Sequence, residues 1–148
     1  MKDKVFNIFL TDDDADDRML FEEALLELDI QVEFRSFENG VDLMKNLLDP
    51  IQPLPDYIFL DLNMPLMNGE ECLNDIRDEP KFSKIPIIIY STFIDSIKLE
   101  VLRLNGANLY LKKPNSFSLL KRAIEDCIAN IKTQSKEPIP PSDFILQY

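Results

Sequence analysis

The chain has 148 residues, 45% apolar and 29% charged, with a net charge of −11 and no histidine. That length suits one domain with a full core, and the acidic balance excludes nucleic acid and anionic membrane as direct partners, because either requires a basic face. No apolar run reaches the roughly 18 residues of a membrane helix, and the start MKDKVFNIFLTDDD has no signal-peptide pattern, so a cytoplasmic location is expected.

In chain order, the apolar run Val5–Leu10 reads as a strand and is followed by TDDDADD, five aspartates within residues 12–17. Asp14, Asp16 and Asp17 fit the start of a helix, where free N–H groups and the helix dipole favour carboxylates. Asp12 and Asp13 fall at the strand's end and need another reason. Leu20, Phe21, Ala24, Leu25 and Leu28 then recur at helical spacing. Val32–Phe37 reads as the second strand, and Leu43, Met44, Leu47 and Leu48 as a second helix after Gly40. A loop with Pro50, Pro53 and Pro55 leads to the strand Tyr57–Leu60. Ile87–Tyr90 and Asn108–Leu111 are the remaining strands, and Leu119, Leu120, Ala123, Ile124, Cys127, Ile128 and Ile131 mark a last helix. Five such strands alternating with five amphipathic segments predict an α/β fold, a parallel sheet with helices on both faces. Cys72 and Cys127 sit in helical apolar patterns and are expected to be buried free thiols. Residues 1–134 form the expected domain. The tail 135–148, SKEPIPPSDFILQY, has three prolines that block a helix, yet Phe144, Ile145, Leu146 and Tyr148 are apolar; it reads as frayed, folded back over a groove, or a docking segment.

Ligands of open parallel sheets bind beyond the carboxyl ends of the strands. Asp12 and Asp13 lie at such an end, as do Asp61 after the third strand, Ser91 and Thr92 after the fourth, and Lys112 and Lys113 near the end of the fifth. With strands one and three adjacent, three carboxylates meet at one corner. Two carboxylates at about 4 Å repel by roughly 4 kcal/mol at an effective dielectric near 20, so the cluster needs a proton, a cation, or both. On that reasoning, Asp12→Asn should stabilise the metal-free protein. An all-oxygen set with room for water suits Mg²⁺, and a carboxylate, a lysine and a hydroxyl at one edge form the nucleophile arrangement for phosphoryl transfer.

Four segments, TDDDADD, FLDLNMPLMNGEE, IPIIIYST and LYLKKP, resemble in order and spacing the receiver domain of response regulators, the CheY-like family. The resemblance spans about residues 4–133. It implies a flavodoxin-like, doubly wound, five-stranded sheet in the order 2-1-3-4-5. Asp61 matches the phosphoacceptor, Asp12 and Asp13 the acidic pair that holds Mg²⁺, and Asn63 the position whose backbone carbonyl completes the metal shell. Ser91 matches the hydroxyl and Lys113 the lysine that reach the phosphoryl group. Ser91 and Tyr110 match the switch pair, and the Lys113–Pro114 bond is expected to be cis. The implied donor is a sensor histidine kinase or a histidine phosphotransfer protein, consistent with a chain that has no histidine. The implied output is a partner protein at the face of helix 4, strand 5 and helix 5, about residues 93–133, from a stand-alone receiver; homodimerisation is left open.

Two alternatives compete. A Mg²⁺-dependent phosphohydrolase with an aspartyl nucleophile usually has a second acid two residues on, where this chain has Asn63. A phosphorylation-independent pseudo-receiver usually loses some of the acid set, which is intact here. The position after the hydroxyl, usually small in the family, holds Thr92, and the next holds the bulky, apolar Phe93; both are expected to crowd the path of water to an acyl phosphate on Asp61. Slow self-dephosphorylation follows. Phe93→Ala should speed the loss several-fold, about 1 kcal/mol in barrier, as read by radiolabel decay on purified protein.

Overall fold

The computed structural model describes residues 4–92, 95–131 and 144–146. β1 (Val5–Thr11) leads into α1 (Ala15–Leu26), β2 (Gln31–Phe37) into α2 (Gly40–Leu48), and β3 (Tyr57–Leu60) into α3 (Gly69–Asp78). β4 (Ile87–Ser91), α4 (Ser96–Leu104), β5 (Leu109–Lys112) and α5 (Phe117–Asn130) complete the alternation. The strands are parallel, in the order β2-β1-β3-β4-β5, with a sixth, β6 (Ile145–Leu146), beyond β5.

Successive side chains on a strand face opposite ways, and the apolar runs therefore feed two cores. Phe9, Ile58, Leu60, Ile87, Ile89 and Tyr110 pack with Leu43 and Leu47 of α2, Cys72, Leu73 and Ile76 of α3 and Leu102 of α4. Ile8, Leu10, Phe59, Ile88, Tyr90 and Leu111 pack on the other face with Phe21, Ala24 and Leu25 of α1 and with Leu120, Ala123, Ile124 and Cys127 of α5. Both cysteines are buried and unpaired. β2 alternates between exposed and half-buried positions, as an edge strand should. Among the described residues no helix is long and apolar enough to cross a membrane.

Inward of the site, Arg77 sets how β4 and β5 begin. Its guanidinium donates to the carbonyls of Gly106, Phe82 and Ile85 and to Asn108 Oδ1, and Asn108 Oδ1 also accepts from the Ile87 N–H at 2.9 Å. Burial lowers the Arg77 pKa to about 10.

The expected five-stranded sheet is corrected to six strands. β5 would otherwise leave an open edge of backbone donors and acceptors, a template for stray pairing. Instead Tyr110 pairs with Ile145 and Leu111 with Leu146, and Phe144 is 2% exposed in the core that holds Tyr110 and Leu102. Of the tail readings, the fold-back describes residues 144–146; the expected boundary at 134/135 lies outside the described residues. If β6 is part of the packed fold, Phe144→Ala should cost about 3 kcal/mol in urea denaturation, whereas a loss within about 0.5 kcal/mol would be that of a surface change.

Candidate functional site

The site is built by where the ladders stop. The Asp12 N–H donates to the Phe37 carbonyl at 3.0 Å, Asp61 to Thr11 at 2.9 Å and Lys113 to Ser91 at 2.8 Å. Each bond fixes a residue one step past its strand, so Asp12, Asp61, Ser91 and Lys113 converge at the carboxyl edge of the sheet. Ligand oxygens of Asp12, Asp13 and Asp61 lie within 4.8 Å of one another. Asp12 and Asp61 are buried; Asp13 is exposed.

The loop from β3 to α3 closes over Asp61. A side chain at Gly69 would place its Cβ 2.2 Å from the Asp61 carbonyl oxygen, so only glycine fits. Leu66 sits at φ +68°, and the Met67 N–H donates to the Pro65 carbonyl at 2.7 Å, a tight γ-turn in a region that L-residues rarely adopt. Asn68 and Glu71 then form a reciprocal cap at the start of α3. Asn63 is exposed, and its N–H points to Asp61 Oδ1 at a long 3.5 Å.

Lys113 Nζ is 2.8 Å from Asp12 Oδ2 and 2.8 Å from Asp17 Oδ2, but 3.6 Å from Asp61 Oδ2. It also lies 5.2 Å from the centre of the Tyr90 ring. Burial alone would lower the lysine's pKa; the hydrogen bonds to Asp12 and Asp17 and the Asp61 charge outweigh it, and Lys113 titrates above its ordinary range. Burial pushes Asp61 up to about 6; Lys113 opposes that rise and the Asp12 charge adds to it. Ser91 Oγ and Thr11 Oγ1 are buried without a hydrogen-bond partner. Tyr110 is turned inward, its hydroxyl 3.5 Å from the Ser91 carbonyl.

Of the residues read from the sequence, Asp12, Asp13, Asp61, Ser91 and Lys113 share this corner, and Tyr110 lies beneath it. Asp14 caps α1, accepting from the N–H groups of Asp16 and Asp17. Lys112 and Thr92 are exposed, and Phe93 lies outside the described residues. One expectation is corrected. No peptide bond among the described residues is cis, so Lys113–Pro114 is trans, the form an X–Pro bond favours by about 0.5–1 kcal/mol, and the ammonium reaches Asp12 from it. The expected stabilisation by Asp12→Asn meets an opposing effect, because Asp12 is fully buried and ion-paired with Lys113, which would keep only Asp17 and Asp61 as partners. Sequence reasoning missed Asp17. The dense aspartate run was the available signal, but a helix start explained it without a partner 96 residues away.

Residues 8–125 match the family described as response regulator receiver domain. The response regulator Rcp1 of Synechocystis sp. is 29% identical over 128 residues, 80% of this chain and 83% of its own length. Two solved structures have TM-scores of 0.80: the Mn(2+)-bound form of response regulator Rcp1, at 24% identity over 88% of this chain and 99% of that one, and the phosphorylated cyanobacterial phytochrome response regulator RcpA, at 26% over 89% and 100%. The chain spans 47%, 8% and 52% of the length of three other curated relatives. This chain therefore belongs to the response regulator receiver family of two-component systems. Receiver domains are phosphoacceptors that bind Mg²⁺ at an acidic pocket and interact with histidine kinases and output proteins; here Asp12, Asp13 and Asp61 form an acidic cluster.

A carboxyl whose pKa rises on folding favours the fold most when protonated. The Asp61 contribution is full below its ordinary 3.8 and is lost as pH rises through about 6. In chelated, metal-free protein, Asp61→Asn should thus be more stable than wild type at pH 7.5 by about 1–3 kcal/mol, with the gap closing towards pH 4. Urea melts at both pH values test this, and a destabilised variant at pH 7.5 would contradict it.

Proposed function

We propose that Asp61 accepts a phosphoryl group from the phosphohistidine of a sensor histidine kinase or histidine phosphotransfer protein, with Mg²⁺ held by Asp12, Asp13, Asp61 and the Asn63 backbone carbonyl. The observation that carries this reading is the joint presence of a buried carboxylate, an ammonium and an unpartnered buried hydroxyl at one strand edge. Three carboxylates with no nitrogen or sulfur donor fit a hard divalent cation. The metal-bound and phosphorylated states of the two structural relatives support the same assignment.

Bound there, the ion supplies charge neutralisation and polarises phosphoryl oxygens. The chain's own residues do the rest. A pKa near 6 leaves Asp61 mostly ionised at neutral pH, so a carboxylate oxygen is available to attack phosphorus. The P–O bond forms as the donor's P–N bond breaks, and the electron pair leaves on the imidazole nitrogen. Ser91 Oγ, which has no competing bond, donates to one phosphoryl oxygen, and Lys113 donates to another. The domain thereby catalyses its own phosphorylation, and water attacking the same phosphorus breaks the Asp61 O–P bond, with the carboxylate as leaving group and inorganic phosphate as product; it is not an enzyme with a separate substrate.

The output we assign to the surface of α4 and α5 beside β5, whose own edge is covered by β6. Ile97, Val101 and Leu104 are exposed at positions i, i+4 and i+7 of α4, an apolar stripe facing solvent. Tyr110, on β5 and in the same core as Leu102, is the proposed link from Ser91 to that face.

Beryllofluoride with Mg²⁺ mimics the phosphoryl group, and wild type should bind it while Mg²⁺ alone binds weakly. Asp61→Ala and Asp13→Ala should abolish tight binding of the analogue in a fluorescence or calorimetric titration. An unchanged affinity in Asp61→Ala sinks the phosphoacceptor assignment.

A further inference from the structure

The proposed transfer makes no use of the ion pair between Lys113 and Asp17. Lys113 Nζ sits 2.8 Å from Asp17 Oδ2 and 0.8 Å farther from Asp61 Oδ2. Asp17 reaches it from the first turn of α1, where its N–H is already capped by Asp14. We propose that Asp17 is a positioning residue that holds the Lys113 ammonium withdrawn from Asp61 and competes with the phosphoryl group for it. This rests on the reading of Asp61 as phosphoacceptor.

The two carboxylates that hold Lys113 differ in what it costs them to release it. Asp12 is fully buried, so losing the ammonium would leave an uncompensated buried charge unless a cation replaces it. The Asp17 side chain is 34% exposed and borders a cavity of about 170 Å³ shared with Leu20, Tyr90, Lys113 and Pro114. Water can therefore take over the hydrogen bond when the ammonium leaves, and a partly exposed pair of this kind is worth little. Asp17 is the releasable partner. An arriving phosphoryl dianion offers the ammonium a stronger acceptor, and the bond traded away is the one to Asp17. Removing the Asp17 charge frees Lys113 in advance, so the analogue should bind more tightly.

The test is a cycle of four proteins: wild type, Asp17→Asn, Lys113→Met and the double variant, each titrated with beryllofluoride at saturating Mg²⁺. Asp17→Asn should raise the affinity about three- to fivefold, the range of a partly exposed ion pair. In the Lys113→Met background the same substitution should leave the affinity nearly unchanged. In metal-free protein the side-chain ammonium ¹⁵N resonance of Lys113 should shift in Asp17→Asn, a signature that a purely structural role for Asp17 would not move. An unchanged or weaker affinity in Asp17→Asn overturns the proposal. So does a gain of equal size without Lys113, which would mark general charge repulsion in place of competition for the ammonium. A wild type that binds no analogue at all would instead refute the reading of Asp61, and the two failures stay distinct.

Discussion

One ammonium organises this corner of the protein. Lys113 comes from the end of β5, three strands away from β1 in the sheet order, and its Nζ nonetheless lies 2.8 Å from Asp12. Asp12 is fully buried and would be intolerable as a lone charge. That bond therefore couples the ends of β1 and β5 through side chains, while β3 and β4 between them are tied by backbone bonds from Asp61 to Thr11 and from Lys113 to Ser91. Arg77 performs a related service at the other end, bonding the carbonyls of Ile85 and Gly106 and the Asn108 side chain that together begin β4 and β5. Two largely buried cations thus act at opposite ends of the sheet, Lys113 joining β5 to β1 and Arg77 joining β5 to β4.

The negative charge at the site is not shared evenly, and the unevenness has chemical consequences. Asp12 has its counter-ion in contact, whereas Asp61 has the same ammonium only at 3.6 Å and bears the burial cost, with a pKa near 6. A fully paired Asp61 would be a stable anion and a poor nucleophile. A carboxylate held short of its cation is higher in energy and gains more when a metal and a phosphoryl group arrive. The hydroxyl of Ser91, buried and without a partner, adds a second unmet demand at the same place. The ligand of the proposed transfer, an oxyanion accompanied by a divalent cation, would relieve both deficits.

What the sequence made legible was local. Apolar runs such as Tyr57–Leu60 and Ile87–Tyr90 stood out because both faces of a central parallel strand are buried, and the observed strands begin and end within one residue of those runs. The strand-end acids, hydroxyl and lysine followed from that placement. Hidden were the features that depend on distant partners. Asp17 looks like any first-turn aspartate until Lys113 is seen beside it. The segment Phe144-Ile145-Leu146 is too short to declare itself a strand, and its pairing is set by the free edge of β5 and the space that Phe144 fills. The trans bond at Lys113–Pro114 was likewise invisible, since both isomers of an X–Pro bond lie close in energy.

Tyr110 is where the site and the remote face share atoms. Its hydroxyl is 3.5 Å from the Ser91 carbonyl, its backbone pairs with Ile145, and its ring belongs to the core that contains Leu102 of α4 and Phe144. A close-packed interior does not absorb the displacement of a buried aromatic without moving its neighbours. If Tyr110 rotates when Ser91 is engaged, as the proposed link requires, the core it shares with Leu102 and Phe144 would have to repack. The added strand holds the far edge of β5 by pairing at Tyr110 and Leu111 as well as by the packing of Phe144. In this chain α4, β5 and the segment that enters β6 share one core through Leu102, Tyr110 and Phe144, and Tyr110 also lies against Ser91.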